Sequence, residues 1–196
     1  MNENKNIKVG ILTLQGDFER HQHQIYLLGA IPVEVRLAED LAELSALIIP
    51  GGESTTMSIL LDRFNLRRPL MAFAQSHPVY GTCAGMILLS KNIENNISTV
   101  KSLGLIDIDI NRNGYGRQVH SFETELEFKY EDTARKINVS FIRAPRVTRV
   151  GKGVMVLAEY RGYPVLVREK NILASSFHAE LDDDTSVLKY FLDNFL

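Results

Sequence analysis

The chain has 196 residues, about one domain's length, of which 45% are hydrophobic and 23% charged, the balance of a soluble globular protein with a full core. A formal net charge of −2 gives no electrostatic footprint for nucleic acid or for an anionic membrane surface. The single cysteine excludes an internal disulfide and argues against a thiolate zinc cluster, and the polar first eight residues lack the apolar stretch of a signal peptide. No apolar run approaches the ~20 residues of a membrane helix. The expectation is a cytoplasmic protein whose thiol stays reduced.

Taken in chain order, residues 7–14 form a β-branched apolar run that reads as a buried strand ending at Gln15-Gly16. Asp17 then caps a helix to about residue 28, with Gly29 as its stop. Strands follow over residues 33–37 and 46–49, the second closed by Pro50-Gly51-Gly52. Ser54 opens a helix to about Phe64, and residues 68–75 read as another. Residues 78–80 are a short strand and residues 84–89 a helix start. Strands alternating with helices through short Gly-rich turns predict a parallel, doubly wound sheet.

After Gly104 the pattern changes. Residues 105–110, 122–130, 154–160 and 165–168 alternate apolar and polar side chains, which predicts antiparallel strands with one wet face. Residues 172–177 return to a buried strand. Residues 184–195 close the chain as an amphipathic helix, with Val187, Leu188, Phe191, Leu192 and Phe195 on one side. No linker or repeat interrupts the sequence. The expected fold is one α/β domain over residues 1–196, a mostly parallel doubly wound sheet flanked by helices with an antiparallel extension in its second half.

The lone Cys83 sits in Tyr80-Gly81-Thr82-Cys83-Ala84-Gly85-Met86, between a strand and a helix. Glycines two residues to either side reproduce the spacing of a nucleophile elbow, with sulfur in place of oxygen. The helix N-terminus favours a thiolate there. A single cysteine is otherwise most often a small core residue, and the flanking glycines set this one apart. A cysteine nucleophile needs a base and an orienter for that base. Ser176-Phe177-His178-Ala179-Glu180, just past the last buried strand, offers both. In an extended segment His178 and Glu180 leave the same face. The other histidines have no carboxylate two residues on. His21 and His23 lie two apart on a helix and read as surface residues, His77 precedes a proline, and His120 lies between turn and strand. For the oxyanion, backbone N–H groups of Ala84 and of Gly52 in Pro50-Gly51-Gly52-Glu53-Ser54 are the candidates.

Together these segments resemble the class I glutamine amidotransferase family of the Cys-His-Glu type, which has a flavodoxin-like fold. Within that family they resemble the branch of glutaminase subunits of pyridoxal 5'-phosphate synthase. The resembling runs are Leu14-Gln15-Gly16, Gly-Gly-Glu-Ser-Thr-Thr from Gly51, the Cys83 elbow, Asn111-Arg-Asn-Gly-Tyr-Gly-Arg-Gln118, Phe141-Ile-Arg-Ala-Pro145 and Ser176-Phe-His-Ala-Glu-Leu181. The elbow and the His-x-Glu belong to the wider class, and the other long runs to the branch.

The resemblance implies hydrolysis of L-glutamine to glutamate and ammonia through a thioester on Cys83, with His178 and Glu180 completing the catalytic set. It carries glutamine binding to Gly51, Gly52, Glu53, Arg112, Ile142 and Arg143. An arginine suits the substrate carboxylate, which it can grip bidentately. It also implies a hetero-oligomeric partner, a synthase subunit that takes the ammonia into pyridoxal 5'-phosphate, and no metal or cofactor bound by this chain. The expected docking face carries Cys83, with Arg20, His21 and His23 on an exposed helix as contributors. The family usually places proline between the histidine and glutamate. Ala179 stands there, which loosens the expected His178–Glu180 geometry. The competing readings are a γ-glutamyl cysteine hydrolase of similar fold and a catalytically silent binding subunit.

Overall fold

The computed structural model describes residues 6–94, 100–112, 114, 121–130, 133–182 and 184–196. β1 (Lys8–Leu12) leads to α1 (Phe18–Leu27), β2 (Ile31–Val35), a 3-10 turn and β3 (Ala46–Ile49). Then come α2 (Ser54–Arg63), α3 (Arg67–Phe73), β4 (Val79–Thr82) and α4 (Ala84–Leu89). The second half holds β5 (Ser90–Glu94), β6 (Ile106–Asn111), β7 (Ser121–Tyr130), β8 (Thr133–Ile142), β9 (Arg146–Val150), β10 (Met155–Tyr160), β11 (Tyr163–Glu169), β12 (Ile172–Ser175) and α5 (Ser186–Phe195).

The main sheet has seven strands in the order β10-β11-β12-β4-β3-β1-β2. The pairs from β12 to β2 are parallel, and β10 and β11 are antiparallel additions. The β2-β1-β3-β4 order is that of flavodoxin-like sheets, whose sites lie outside the carboxyl ends of the strands where the order reverses. The sheet is covered on both faces. In β3, Leu47 and Ile49 pack with Met57 and Leu61 of α2, while Ala46 and Ile48 pack on the other side with Ile25 and Phe191. Apolar residues on both faces are what a central parallel strand requires.

The antiparallel part is more divided than a single extension. β10 and β11 join the main sheet. β5, β6 and β9 make a separate three-stranded sheet in which β5 and β6 are parallel. β7 and β8 form a two-stranded hairpin paired along their length. That hairpin turns Leu126, Phe128, Ile137, Val139 and Phe141 into the core shared with α5. Phe141 stacks on Phe122 at 4.8 Å and meets Phe177 edge-on at 5.8 Å. Strands β5, β8 and β9 are not among the elements the sequence pattern predicts.

Two local expectations are also corrected. Asp17 stands at the N-cap of α1, but its side chain makes no capping hydrogen bond. His21 is buried, not on the surface, because α1 turns its His21-Gln24-Ile25 face inward. Gln24 on that face donates through Nε2 to the carbonyls of Ala179, Asp182 and Asp184, which ties α1 to the segment after β12.

Candidate active site

Cys83 is the hinge between β4 and α4, and its φ of +48° is a backbone conformation that non-glycine residues rarely adopt. Such strain persists only where the surroundings over-determine it, and here they do. The Cys83 N–H donates to the Ser175 carbonyl at 2.8 Å, pinning the elbow to β12. A Cβ on Gly81 would meet Leu89 Cδ1 at 2.5 Å, and one on Gly85 would collide with the Ile49 carbonyl. The two flanking glycines are therefore the condition for packing the elbow between β3 and α4. Cys83 Sγ lies 3.8 Å from the Ile142 carbonyl oxygen.

His178 lies just past β12, where an isolated antiparallel bridge holds it to Ser140 of β8. Its N–H donates to the Ser140 carbonyl at 2.8 Å and the Ser140 N–H donates back at 3.3 Å. Its Nδ1 bonds Glu180 Oε1 at 2.7 Å. The other ring nitrogen faces Cys83 within hydrogen-bonding reach. Burial opposes a charge on His178, but the hydrogen bonds to Cys83 and to Glu180 outweigh it and hold the imidazole up to about 10. Burial likewise opposes the charge on Glu180, yet His21 and the hydrogen bond from His178 keep its carboxyl below the ordinary value. The pairing predicted from two-residue spacing is thus present, and Ala179 in place of proline does not prevent it.

Gly51 and Gly52 lie at the carboxyl end of β3. A Cβ on Gly51 would enter the His178 ring, so only glycine lets the loop approach the imidazole. Gly52 has a φ of +152°, and a Cβ there would meet Gln15 Oε1 at 2.7 Å. Gln15 Oε1 accepts the Glu53 N–H at 2.8 Å, so the turn after β1 fixes the loop after β3. The Glu53 carboxylate caps α2, accepting from the N–H groups of Thr55 at 3.0 Å and Thr56 at 2.7 Å. Its modest burial pushes the carboxyl up, and these bonds more than offset that, bringing it down to about 2. Ala84 is the first residue of α4, and Gly52 follows the carboxyl end of β3 and lines the same cavity as Cys83.

These elements surround a cavity of about 430 Å³, the size of a small-molecule site, lined by Cys83, His178, Gly51 to Ser54, Arg112, Ile142 and Arg143. Arg112 is held in place by Thr55 Oγ1 at 3.2 Å and Glu53 Oε1 at 3.4 Å. Arg143 follows β8 with a φ of +45° and lines the same cavity. Of the catalytic and glutamine-binding candidates named from sequence, all but Glu180 line this one space, and Glu180 is bonded to His178, which does; the docking candidates Arg20, His21 and His23 do not line it. Of the run 111–118, Asn113 and residues 115–118 lie outside the described residues, as does His120. Among the described residues no group of three or more His, Cys, Asp or Glu side chains is arranged to hold a metal ion.

Sequence reasoning misses two contributors. Gln15 stands out in the sequence only as part of a motif, and its support of the Gly52–Glu53 loop depends on the fold. His21 reads as a surface residue, although its spacing to Gln24 and Ile25, three and four residues on, is that of one helix face.

The strand order and the cysteine elbow at the carboxyl ends of the strands define a class, the α/β proteins with a glutamine amidotransferase-like fold. The SNO glutamine amidotransferase family matches residues 11–196, and the chain belongs to that family. A relative from Dehalococcoides mccartyi, the pyridoxal 5'-phosphate synthase subunit PdxT, is 52% identical over 188 residues, covering 95% of this chain and 96% of the relative. The protein of the same name from Thermosipho africanus is 48% identical over 189 residues, covering 95% and 98%. A crystal structure of a glutamine amidotransferase superposes with a TM-score of 0.88 at 43% identity, covering 94% of this chain and 97% of that one. The PurLQS structure from Thermotoga maritima shares the fold at 14% identity, with a TM-score of 0.70 over 96% of this chain and 98% of that one.

Proposed function

We infer that the chain is the glutaminase subunit of a pyridoxal 5'-phosphate synthase, hydrolysing L-glutamine and passing the ammonia to a synthase subunit. The observation that carries the reading is the His178–Glu180 bond at 2.7 Å, which commits one ring nitrogen to the carboxylate and leaves the other to Cys83 inside a cavity of about 430 Å³. Family membership and the PdxT relatives support the same activity and the same kind of partner.

The residues divide the work. Cys83 Sγ, its proton held by His178, forms a bond to the amide carbon of the glutamine side chain. The N–H groups of Gly52 and Ala84 receive the resulting oxyanion. His178 returns its proton to the amide nitrogen, the C–N bond breaks and ammonia leaves, with the glutamyl group now a thioester on Cys83. A water then attacks the thioester while His178 takes its proton. The C–S bond breaks, glutamate leaves, and His178 and Cys83 recover their starting proton. Glu180 stays ionised throughout and holds the imidazole in the tautomer that faces sulfur. Arg112 and Arg143 supply positive charge for the substrate α-carboxylate, and Glu53 supplies negative charge for its α-ammonium.

The test is ammonia release from glutamine by the wild type and by Cys83→Ala, with and without a synthase subunit. Release that needs Cys83 and rises with the synthase subunit is expected. No release in any combination, with the complex shown to form, would turn the reading to a silent binding subunit. Release from γ-glutamyl peptides in preference to free glutamine would turn it to the related hydrolase.

A further inference from the structure

We propose that His21 is a positioning residue for Cys83, His178 and Glu180, holding the Glu180 carboxylate from the end of the array away from the nucleophile. The inference rests on the glutaminase reading and adds to it a residue from α1.

Glu180 is a buried carboxylate whose hydrogen-bond partners are His178 and its own backbone N–H. Its Oε1 bonds His178 Nδ1, and its Oε2 has no hydrogen-bond partner among the described residues. A buried charge with unfilled lone pairs is costly unless other dipoles face it. His21 Nε2 lies 3.6 Å from Glu180 Oε1, and both side chains are 1% exposed. The same Nε2 lies 3.4 Å from Thr82 Oγ1. Thr82 precedes Cys83 in the chain. The contacts therefore close a circuit from Cys83 through His178, Glu180 and His21 back to the strand that carries the nucleophile.

The surroundings also settle where the His21 proton sits. Nε2 faces a carboxylate oxygen and a hydroxyl oxygen, while Nδ1 is buried with no partner among the described residues. A proton on Nδ1 would bury an unpaired donor and turn the Nε2 lone pair at an anion. A proton on Nε2 points an N–H at Glu180 and leaves only a lone pair unmet, the less costly arrangement. Burial also pushes the imidazole below the ordinary histidine value, opposed by Glu180 and aided by His178. Asp17 at the start of α1 adds a weak pull upward on His21, and the Tyr80 hydroxyl, bonded to Ser175 Oγ, also feels the Glu180 charge. A neutral His21 suits the site. It stabilises the Glu180 anion with a dipole and adds no second cation to compete with the one on His178.

The test uses the full chain in complex with a synthase subunit. His21→Leu removes the donor, and His21→Gln places an amide N–H near the position of Nε2. We expect kcat for ammonia release to fall about tenfold in His21→Leu, which takes the imidazole dipole 3.6 Å away from a buried carboxylate. KM for glutamine should stay within about twofold, because His21 does not line the cavity. His21→Gln should recover most of kcat. A merely structural residue would lower the melting temperature of both variants and leave the kcat of the folded protein alone. A wild-type kcat in His21→Leu, or no rescue by His21→Gln, would overturn the proposal. An inactive wild-type complex would instead strike the glutaminase reading. The ring nitrogens of 15N-labelled protein test the proposal separately. A neutral Nε2–H tautomer for His21 from pH 6 to 8 supports it, and an Nδ1–H tautomer or an imidazolium overturns it.

Discussion

The parallel strands β3 and β4 and the β7–β8 hairpin meet at the same cavity, and they reach it differently. The parallel strands bring the Gly51–Gly52 pair and Cys83 there by their own carboxyl ends, with Gln15 after β1 fixing the glycine loop from behind. The hairpin acts through β8 and the residue after it. Its aromatic residues lock into the core with Phe177, its Ser140 pairs with the His178 backbone, and its last residues supply Ile142 and then Arg143. One side provides the nucleophile and a close-packed glycine loop. The other holds the base and forms a wall. The lesson is that the base depends on an element far from it in sequence.

The sharpest way to break this comparison is Phe141→Ala. The ring is fully buried against Phe122, Tyr160 and Phe177, and its loss should cost about 3–5 kcal/mol in urea denaturation, with glutaminase activity of the folded fraction reduced as well. Full activity in the folded fraction would mean that the hairpin does not position His178. Next is Gly51→Ala, which places a methyl group against the His178 ring. A shift of that ring by about 1 Å should lower kcat/KM about 100-fold, with the circular dichroism spectrum unchanged. Activity within a few-fold of wild type would show that the glycine loop has room to move.

Much of the parallel half is legible in the sequence. In β3 both faces are apolar and Pro50-Gly51-Gly52 ends the run, so strand, boundary and turn are all written locally. The elbow is equally local, because small residues beside Cys83 are required by packing within a few ångströms. The His178–Glu180 pair needs only the two-residue spacing. The rest is hidden for physical reasons. β5 is Ser-Lys-Asn-Ile-Glu, a polar run that becomes a strand only by pairing with β6. β8 begins with exposed Thr-Ala-Arg-Lys, and its inward alternation at Ile137, Val139 and Phe141 comes only in the second half. The burial of His21 depends on what α1 packs against, which no local pattern states.

A smaller effect sharpens the division between the two arginines. Arg112 is fixed by Glu53 and Thr55, whereas Arg143 stands exposed after β8. Arg112→Ala should therefore raise KM for glutamine about tenfold, the scale of a lost charge-assisted contact, and Arg143→Ala less. The reverse order in steady-state kinetics would move carboxylate recognition to the hairpin wall. The smallest expected effect belongs to the α2 cap. The Glu53 carboxyl is held down to about 2, so its contribution is complete above its ordinary value near 4.5 and is lost as pH falls toward 2. Glu53→Gln should flatten that acid limb of the stability curve and cost no more than about 1 kcal/mol at neutral pH, because the side chain is half exposed. An unchanged acid limb would mean that the cap bonds carry no net stability.

The chemistry turns on Cys83, with His178 behind it, as a nucleophile for the glutamine side chain. Its most direct test is mass spectrometry of the chain, in complex with a synthase subunit, after exposure to a glutamine analogue bearing an electrophilic ketone in place of the amide. The account predicts one adduct, on Cys83, prevented by excess glutamine and absent in His178→Ala. An assembled complex that takes no adduct at Cys83, or takes one that glutamine does not block, would contradict it.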